Sequence, residues 1–163
     1  MCCSLNTVRP SSLASEISFS GEVSALTECR SACVHRLVAD LEAAVIPQLN
    51  AMTRMPWAGL DSVGDQSPYV TAIVSHLKTQ VPPIRDTLFS VRLVYFICIK
   101  FADATISRFV ASLYKCKPLN TFGAEQLLLD TQCLKSALLQ LPLFGTKVSI
   151  NEITYSDKIL EMQ

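Results

Sequence analysis

Apolar residues recur along most of this chain at steps of three and four, the repeat of one helical face. From Glu22, the positions Val34, Val38, Leu41, Val45, Leu49 and Met52 form one stripe, widened by Leu26, Cys29, Cys33, Leu37 and Ala44. This predicts an amphipathic helix over about 22–54, with a kink or break at Pro47, where one backbone hydrogen bond is lost. Pro56, Gly59 and Gly64 then mark a loop of about a dozen residues. Ser67 is placed to cap a second helix with Pro68 at its first position. Val70, Ile73, Val74, Leu77 and Val81 supply that helix's buried face over 68–81, and Pro82-Pro83 are expected to end it and to start the next.

The third helix, 83–116, is read from Ile84, Leu88, Val91, Tyr95, Cys98, Ala102, Ile106, Phe109 and Leu113 in one phase. Unbroken, it would be roughly 50 Å long. Its segment Leu93 to Ile99 is apolar on every side, which predicts burial by more than one neighbour. Pro118 ends it. Thr121 can cap a fourth helix over 121–141, marked by Leu127, Thr131, Leu134, Leu138 and Leu141 and stopped by Pro142. The fold class is therefore all-α, a bundle or rod of at least four long helices. Residues 1–20, with Pro10 and many serines, read as a flexible lead-in, 21–142 as the helical segment, and 143–163 as a tail whose loose alternation assigns it to no element.

Composition narrows the function classes. A chain of 163 residues can bury a full core without disulfides, and half its residues are hydrophobic while only 17% are charged. That balance excludes disorder and calls for extensive buried surface. Fourteen basic and fourteen acidic side chains cancel, so no electrostatic footprint for nucleic acid exists. The longest uncharged apolar run, Leu93 to Ile99, is too short to cross a bilayer. Met1 to Ser15 lacks an apolar core, so no secretory signal is expected and the default address is cytoplasmic. Cys2 and Cys3 offer palmitoylation sites, with a frayed terminus the simpler reading.

The seven cysteines show no C-x-x-C pair, and only His35 and His76 could add imidazole ligands. Cys29 and Cys33, four apart, read as small buried hydrophobes rather than ligands. The rival is a thiol- or metal-dependent enzyme using Cys29, Cys33 and His35. No hydrolase elbow, phosphate loop or calcium loop occurs, and Ser67, Ser75, His76 and Asp65 carry no motif spacing. No catalytic residue and no cofactor is assigned. Glu125 and Asp130, five steps apart on opposite helical sides, read as surface charges. The candidate interface or inter-helix corner residues are Trp57, Asp65, Gln66 and Tyr69 around the loop. Arg85, Arg92 and Lys100, spaced seven and eight apart, add a solvated face or a docking edge for an acidic partner or lipid head.

Several strings are recognisable together: Gly64-Asp65-Gln66-Ser67-Pro68-Tyr69-Val70, Ile84-Arg85-Asp86, Cys98-Ile99-Lys100-Phe101-Ala102, Tyr114-Lys115-Cys116-Lys117-Pro118, and Gly123-Ala124-Glu125-Gln126-Leu127-Leu128-Leu129-Asp130-Thr131. In this order they resemble the vacuolar protein sorting-associated protein 53 family, from about Ile17 to Pro142. The resemblance implies a helical-rod subunit of the Golgi-associated retrograde protein complex, a tether that captures endosome-derived carriers before SNARE-driven fusion. It implies sister subunits as partners, with SNAREs or small GTPases as further contacts, and a peripheral place on trans-Golgi network and endosome membranes. The family's N-terminal coiled coil has no counterpart here, the match around Val91 to Phe96 is one residue short, and the tail beyond Pro142 leaves the pattern. The alternative from the residues alone is a free-standing helical adaptor.

Overall fold

In the computed structural model, which describes residues 18–88 and 90–145, the chain is all-α. Four helices follow one another: α1 (Ser20–Thr53), α2 (Pro68–Thr87), α3 (Val91–Leu113) and α4 (Thr121–Leu139), with short 3₁₀ turns at Trp57–Gly59 and Leu141–Leu143. The chain divides into two units, Met1–Arg36 and Leu37–Gln163, with α1 running from one into the other. Cys2, Cys3, most of the expected lead-in and nearly all of the 143–163 tail lie outside the described residues.

In the first unit, α1 is solvated except at Val34, which is buried as its spacing predicts. Phe19, Val23 and Leu26 are exposed, and Thr27 and Ser31 turn their hydroxyls back onto the carbonyls of Val23 and Thr27 at 2.8 and 3.0 Å. Cys29 and Cys33 are exposed as well, which overturns their expected burial. Helical spacing sets which residues share a face, but not whether that face has a neighbour.

In the second unit, Leu41, Val45, Leu49 and Met52 are buried as their spacing predicts, together with Trp57, Val70, Ile73, Leu77, Val81, Phe101, Leu127, Leu134 and Leu141. Pro47 lies inside α1 without ending it. Pro82 and Pro83 likewise lie inside α2, which continues to Thr87. The expected boundary at these prolines was wrong. Val81 is buried, and Ile84 and Leu88 pack against the core. The apolar register thus carries the helix through two missing N–H groups, whose carbonyl partners at Lys78 and Thr79 belong to exposed residues open to water. Gly145, with φ +79°, closes on the same place, for a Cβ there would stand 2.7 Å from that of Pro82.

Instead α2 ends at Thr87, with Leu88 as its C-cap, and α3 begins at Val91. Ser90 caps α3, its hydroxyl accepting from the Leu93 N–H at 3.4 Å. The helix of 23 residues is about 34 Å long, not the expected 50 Å. The break also resets its phase. Val94, Ile97, Cys98, Phe101, Thr105, Phe109 and Ser112 face the core, whereas Val91 and Ile106 of the expected stripe are exposed. The Leu93 to Ile99 run is not enclosed on every side, because Phe96 and Ile99 face solvent. No helix among the described residues is long and apolar enough to cross a membrane.

Candidate functional site

The loop between α1 and α2 has no secondary structure beyond one 3₁₀ turn, so its backbone groups need other partners. One face of α4 supplies them. Asn120, at the N-cap, accepts from the Gly123 N–H at 2.7 Å with Oδ1. Its Nδ2 donates to the carbonyls of Ala58 and Leu60 at 3.1 and 2.8 Å. Asn120, not Thr121, is therefore the cap. One turn on, Gly123 lets the helix meet the Trp57 carbonyl, where any Cβ would collide. Gln126 then grips both sides of Asp65: Oε1 accepts from the Gly64 N–H at 3.0 Å, and Nε2 donates to the Asp65 carbonyl at 2.8 Å. Finally Asp130 Oδ1 accepts from the Ser67 N–H at 2.8 Å and from Gln126 Nε2 at 3.3 Å.

Asn120, Gly123, Gln126 and Asp130 stand at steps of three, three and four, one above another on the helix. They form a latch that reads the main chain of the loop from Ala58 to Ser67. Asp130 is 0% exposed, so its reading as a surface charge is overturned, although it does lie on the side opposite the exposed Glu125. Ser67 is the N-cap residue of α2, but its side chain makes no capping bond. It is instead the Ser67 backbone that Asp130 holds.

Trp57 and Tyr69 lie in the core cluster on either side of this loop. Trp57 is 1% exposed, and its Nε1 donates to the Met52 carbonyl at 2.9 Å, across the end of α1. Burial, and then the negative charge of nearby Asp130, push the Tyr69 phenol far above its ordinary pKa. Neither the Tyr69 hydroxyl nor Asp130 Oδ2 finds a partner at hydrogen-bond geometry among the described residues. Asp65 and Gln66 are exposed, Asp65 joining the latch through its carbonyl, and Gln66 donating to the Thr71 hydroxyl at 3.0 Å. The loop candidates thus come together.

The three basic candidates do not. Arg85 belongs to α2 while Arg92 and Lys100 belong to α3, so no single helix presents them. Arg85 is half-buried and donates from Nη1 to the Phe144 carbonyl at 2.9 Å and from Nη2 to the Pro142 carbonyl at 2.6 Å, tying the end of α2 to the last 3₁₀ turn. It is a structural clamp, not part of a solvated face. Arg92 and Lys100 are exposed. An open groove of about 350 Å³ runs between α2 and α4, lined by Gln66, Val74, Lys78, Cys133, Ala137 and Phe144 among others. Among the described residues no three His, Cys, Asp or Glu side chains are grouped to hold a metal.

The cysteines differ sharply in environment. Burial pushes the Cys98 thiol up to about 11, against a small lowering by Arg85. It also raises Cys116, whose Sγ lies 3.4 Å from the Ser112 carbonyl. A maleimide added to the native chain is expected to label Cys29 and Cys33 and to spare Cys98 and Cys116 until denaturant is added, since thiolate and access both govern the reaction. Mass mapping of the labelled peptides checks this, and equal labelling of all four would contradict the burial pattern.

On the solvent side of α3, Phe96, Ile99, Ile106 and Val110 are 47, 47, 49 and 42% exposed. At about 100° per residue these four cluster on the side of α3 away from Val94, Phe101 and Thr105. The helix therefore has two apolar faces. The stripe expected from the sequence, Tyr95, Ala102, Phe109 and Leu113, runs along the seam between them.

Two curated proteins are similar to this chain in sequence. The chain is 39% identical over 128 residues to the vacuolar protein sorting-associated protein 53 homolog of Caenorhabditis elegans, covering 77% of this chain and 16% of the relative. It is 41% identical over 113 residues to vacuolar protein sorting-associated protein 53 A of Arabidopsis thaliana, covering 69% of this chain and 14% of the relative. The chain thus spans about one-sixth of these curated relatives. No family model matches it. No solved structure matches it either.

Proposed function

Because this is a partial chain of the vacuolar protein sorting-associated protein 53 kind, we propose that it works in vesicle tethering. In this reading it is a non-catalytic helical segment of a tether in endosome-to-trans-Golgi retrograde transport. It acts on the cytosolic side of Golgi and endosome membranes through contacts with sister subunits of the Golgi-associated retrograde protein complex, with SNAREs or small GTPases as further partners. One observation carries this reading: the second apolar face of α3, which remains in solvent while the first fills the core. Exposed apolar side chains gathered on one side of a helix in this way mark an interaction surface. The polar groups of the corner support a structural role, since Asn120, Gln126 and Asp130 each bond the backbone of the loop.

The test is co-purification of the tagged chain from cells with the sister subunits. They are expected with the unaltered chain and lost with the double variant Ile99→Asp/Ile106→Asp, whose positions lie outside the core. A full-length relative that recovers the sister subunits while this chain recovers none would overturn the reading.

A further inference from the structure

The outer face of α3 specifies its occupant further than apolar character alone. From Phe96 to Val110 the stripe extends about 21 Å, four turns of helix and one helix wide. Arg92 lies one turn before Phe96 on the same side of the helix. Lys100 stands beside the stripe with Nζ 5.6 Å from the centre of the Phe96 ring, so its ammonium is held at the border of the apolar surface. Among the described residues neither cation has a carboxylate partner. Arg108, on another side of α3, is already matched by Glu42 at 3.2 Å. The only acid on the outer face is Asp103.

We propose that the outer face of α3 docks one amphipathic helix of a protein partner, whose apolar stripe covers Phe96, Ile99, Ile106 and Val110 and whose acidic flank faces Arg92 and Lys100. This rests on the reading of the chain as a segment that presents helical surfaces to other subunits. Apolar anchors at helical spacing provide the contact, and the charges select the partner and its direction. A bilayer is a poorer occupant: two cations make a weak basic rim, and Asp103, in the middle of the stripe, would be carried into the headgroup boundary. A second copy is poorer still, since it would bring Arg92 and Lys100 against a face that offers only Asp103 in return. By contrast, the outer side of α4 exposes Leu128 and Leu139 three turns apart, too scattered to seat a helix.

The proposal is tested on the full chain with two synthetic helix-forming peptides of about three heptads, each with Leu at the a and d positions, one with Glu and the other with Lys at e and g. By fluorescence anisotropy at low salt, the Glu peptide is expected to bind at least about tenfold more tightly than the Lys peptide, with the difference shrinking as salt is added. The variant Arg92→Glu/Lys100→Glu should reverse that order, and Ile99→Asp/Ile106→Asp should abolish both, with circular dichroism showing both variants folded. Equal binding of the two peptides, or binding of neither, overturns the proposal. So does co-sedimentation with phosphatidylserine-containing phosphatidylcholine vesicles when the Glu peptide fails to bind, or dimerisation lost in Ile99→Asp/Ile106→Asp. The assay needs no sister subunit. Glu-peptide binding together with failed co-purification would sink the tethering reading alone, and the reverse result would sink the acidic-helix occupant alone.

Discussion

Replacing Trp57 by Ala is expected to destabilise the second unit by about 3–5 kcal/mol, the range for removing a large aromatic side chain from a core that cannot collapse around the void. The site has little freedom to close. Met52 lies on one side, its carbonyl accepting from Trp57 Nε1, and Gly123 lies on the other, against the Trp57 backbone. The mutation therefore also strips the best donor from a buried carbonyl, leaving it the longer bonds from the Met55 N–H at 3.3 Å and Cys116 Sγ at 3.8 Å. For a unit spanning Leu37–Gln163 each kcal/mol lowers Tm by roughly 3–5 °C, so thermal melts should show a loss of about 10–25 °C. Trp57→Phe separates the two contributions, keeping most of the volume and losing only the hydrogen bond, at about 1–2 kcal/mol. A Trp57→Ala melt within a few degrees of the parent would show that the corner is not anchored there.

Asp130→Ala should cost about 2–4 kcal/mol, because it leaves the buried Ser67 N–H without its acceptor and frees one of the partners of Gln126. The informative companion is Asp130→Asn. It keeps Oδ1 as acceptor for both donors, puts an NH₂ in place of Oδ2, and removes the buried charge that helps to raise the Tyr69 phenol. Asparagine is thus expected to be neutral or stabilising, by up to about 1 kcal/mol. Denaturant titration of the three proteins decides it. If Asn proved as damaging as Ala, the charge itself, rather than the acceptor geometry, would be what the corner needs.

The sequence made the helices legible because each core-facing stripe repeats at three and four: Leu41 through Met52, Val70 through Val81, Leu127 through Leu138. Two things were hidden. Helix boundaries at proline depend on what the next turns bury, and Ile84 and Leu88 outweigh the two N–H groups lost at Pro82-Pro83. The two faces of α3 were merged into one stripe because periodicity reports apolar positions without saying which of them has a neighbour. Trp57, Asp65, Gln66 and Tyr69 were visible as candidates, as an isolated aromatic and a turn-rich loop stand out. Their counterparts on α4 were not, although Asn120, Gly123, Gln126 and Asp130 share one side with Leu127 and Leu134. Short polar residues in register with an apolar stripe are the signal that could have found them. The two longest strings that carry the family resemblance, Gly64 to Val70 and Gly123 to Thr131, hold the residues that meet where Gln126 and Asp130 bond Gly64, Asp65 and Ser67.

Since α4 grips carbonyls and amides, the connection from Ala58 to Gln66 is measured by arc length rather than by lettering. Swapping exposed side chains there leaves every clasp in place, whereas adding or deleting a single residue would offset the peptide groups against Asn120, Gln126 and Asp130 by about 3.5 Å, beyond the reach of the fixed donors and acceptors. The segment behaves as a calibrated spacer between two struts, tolerant of wording and intolerant of count.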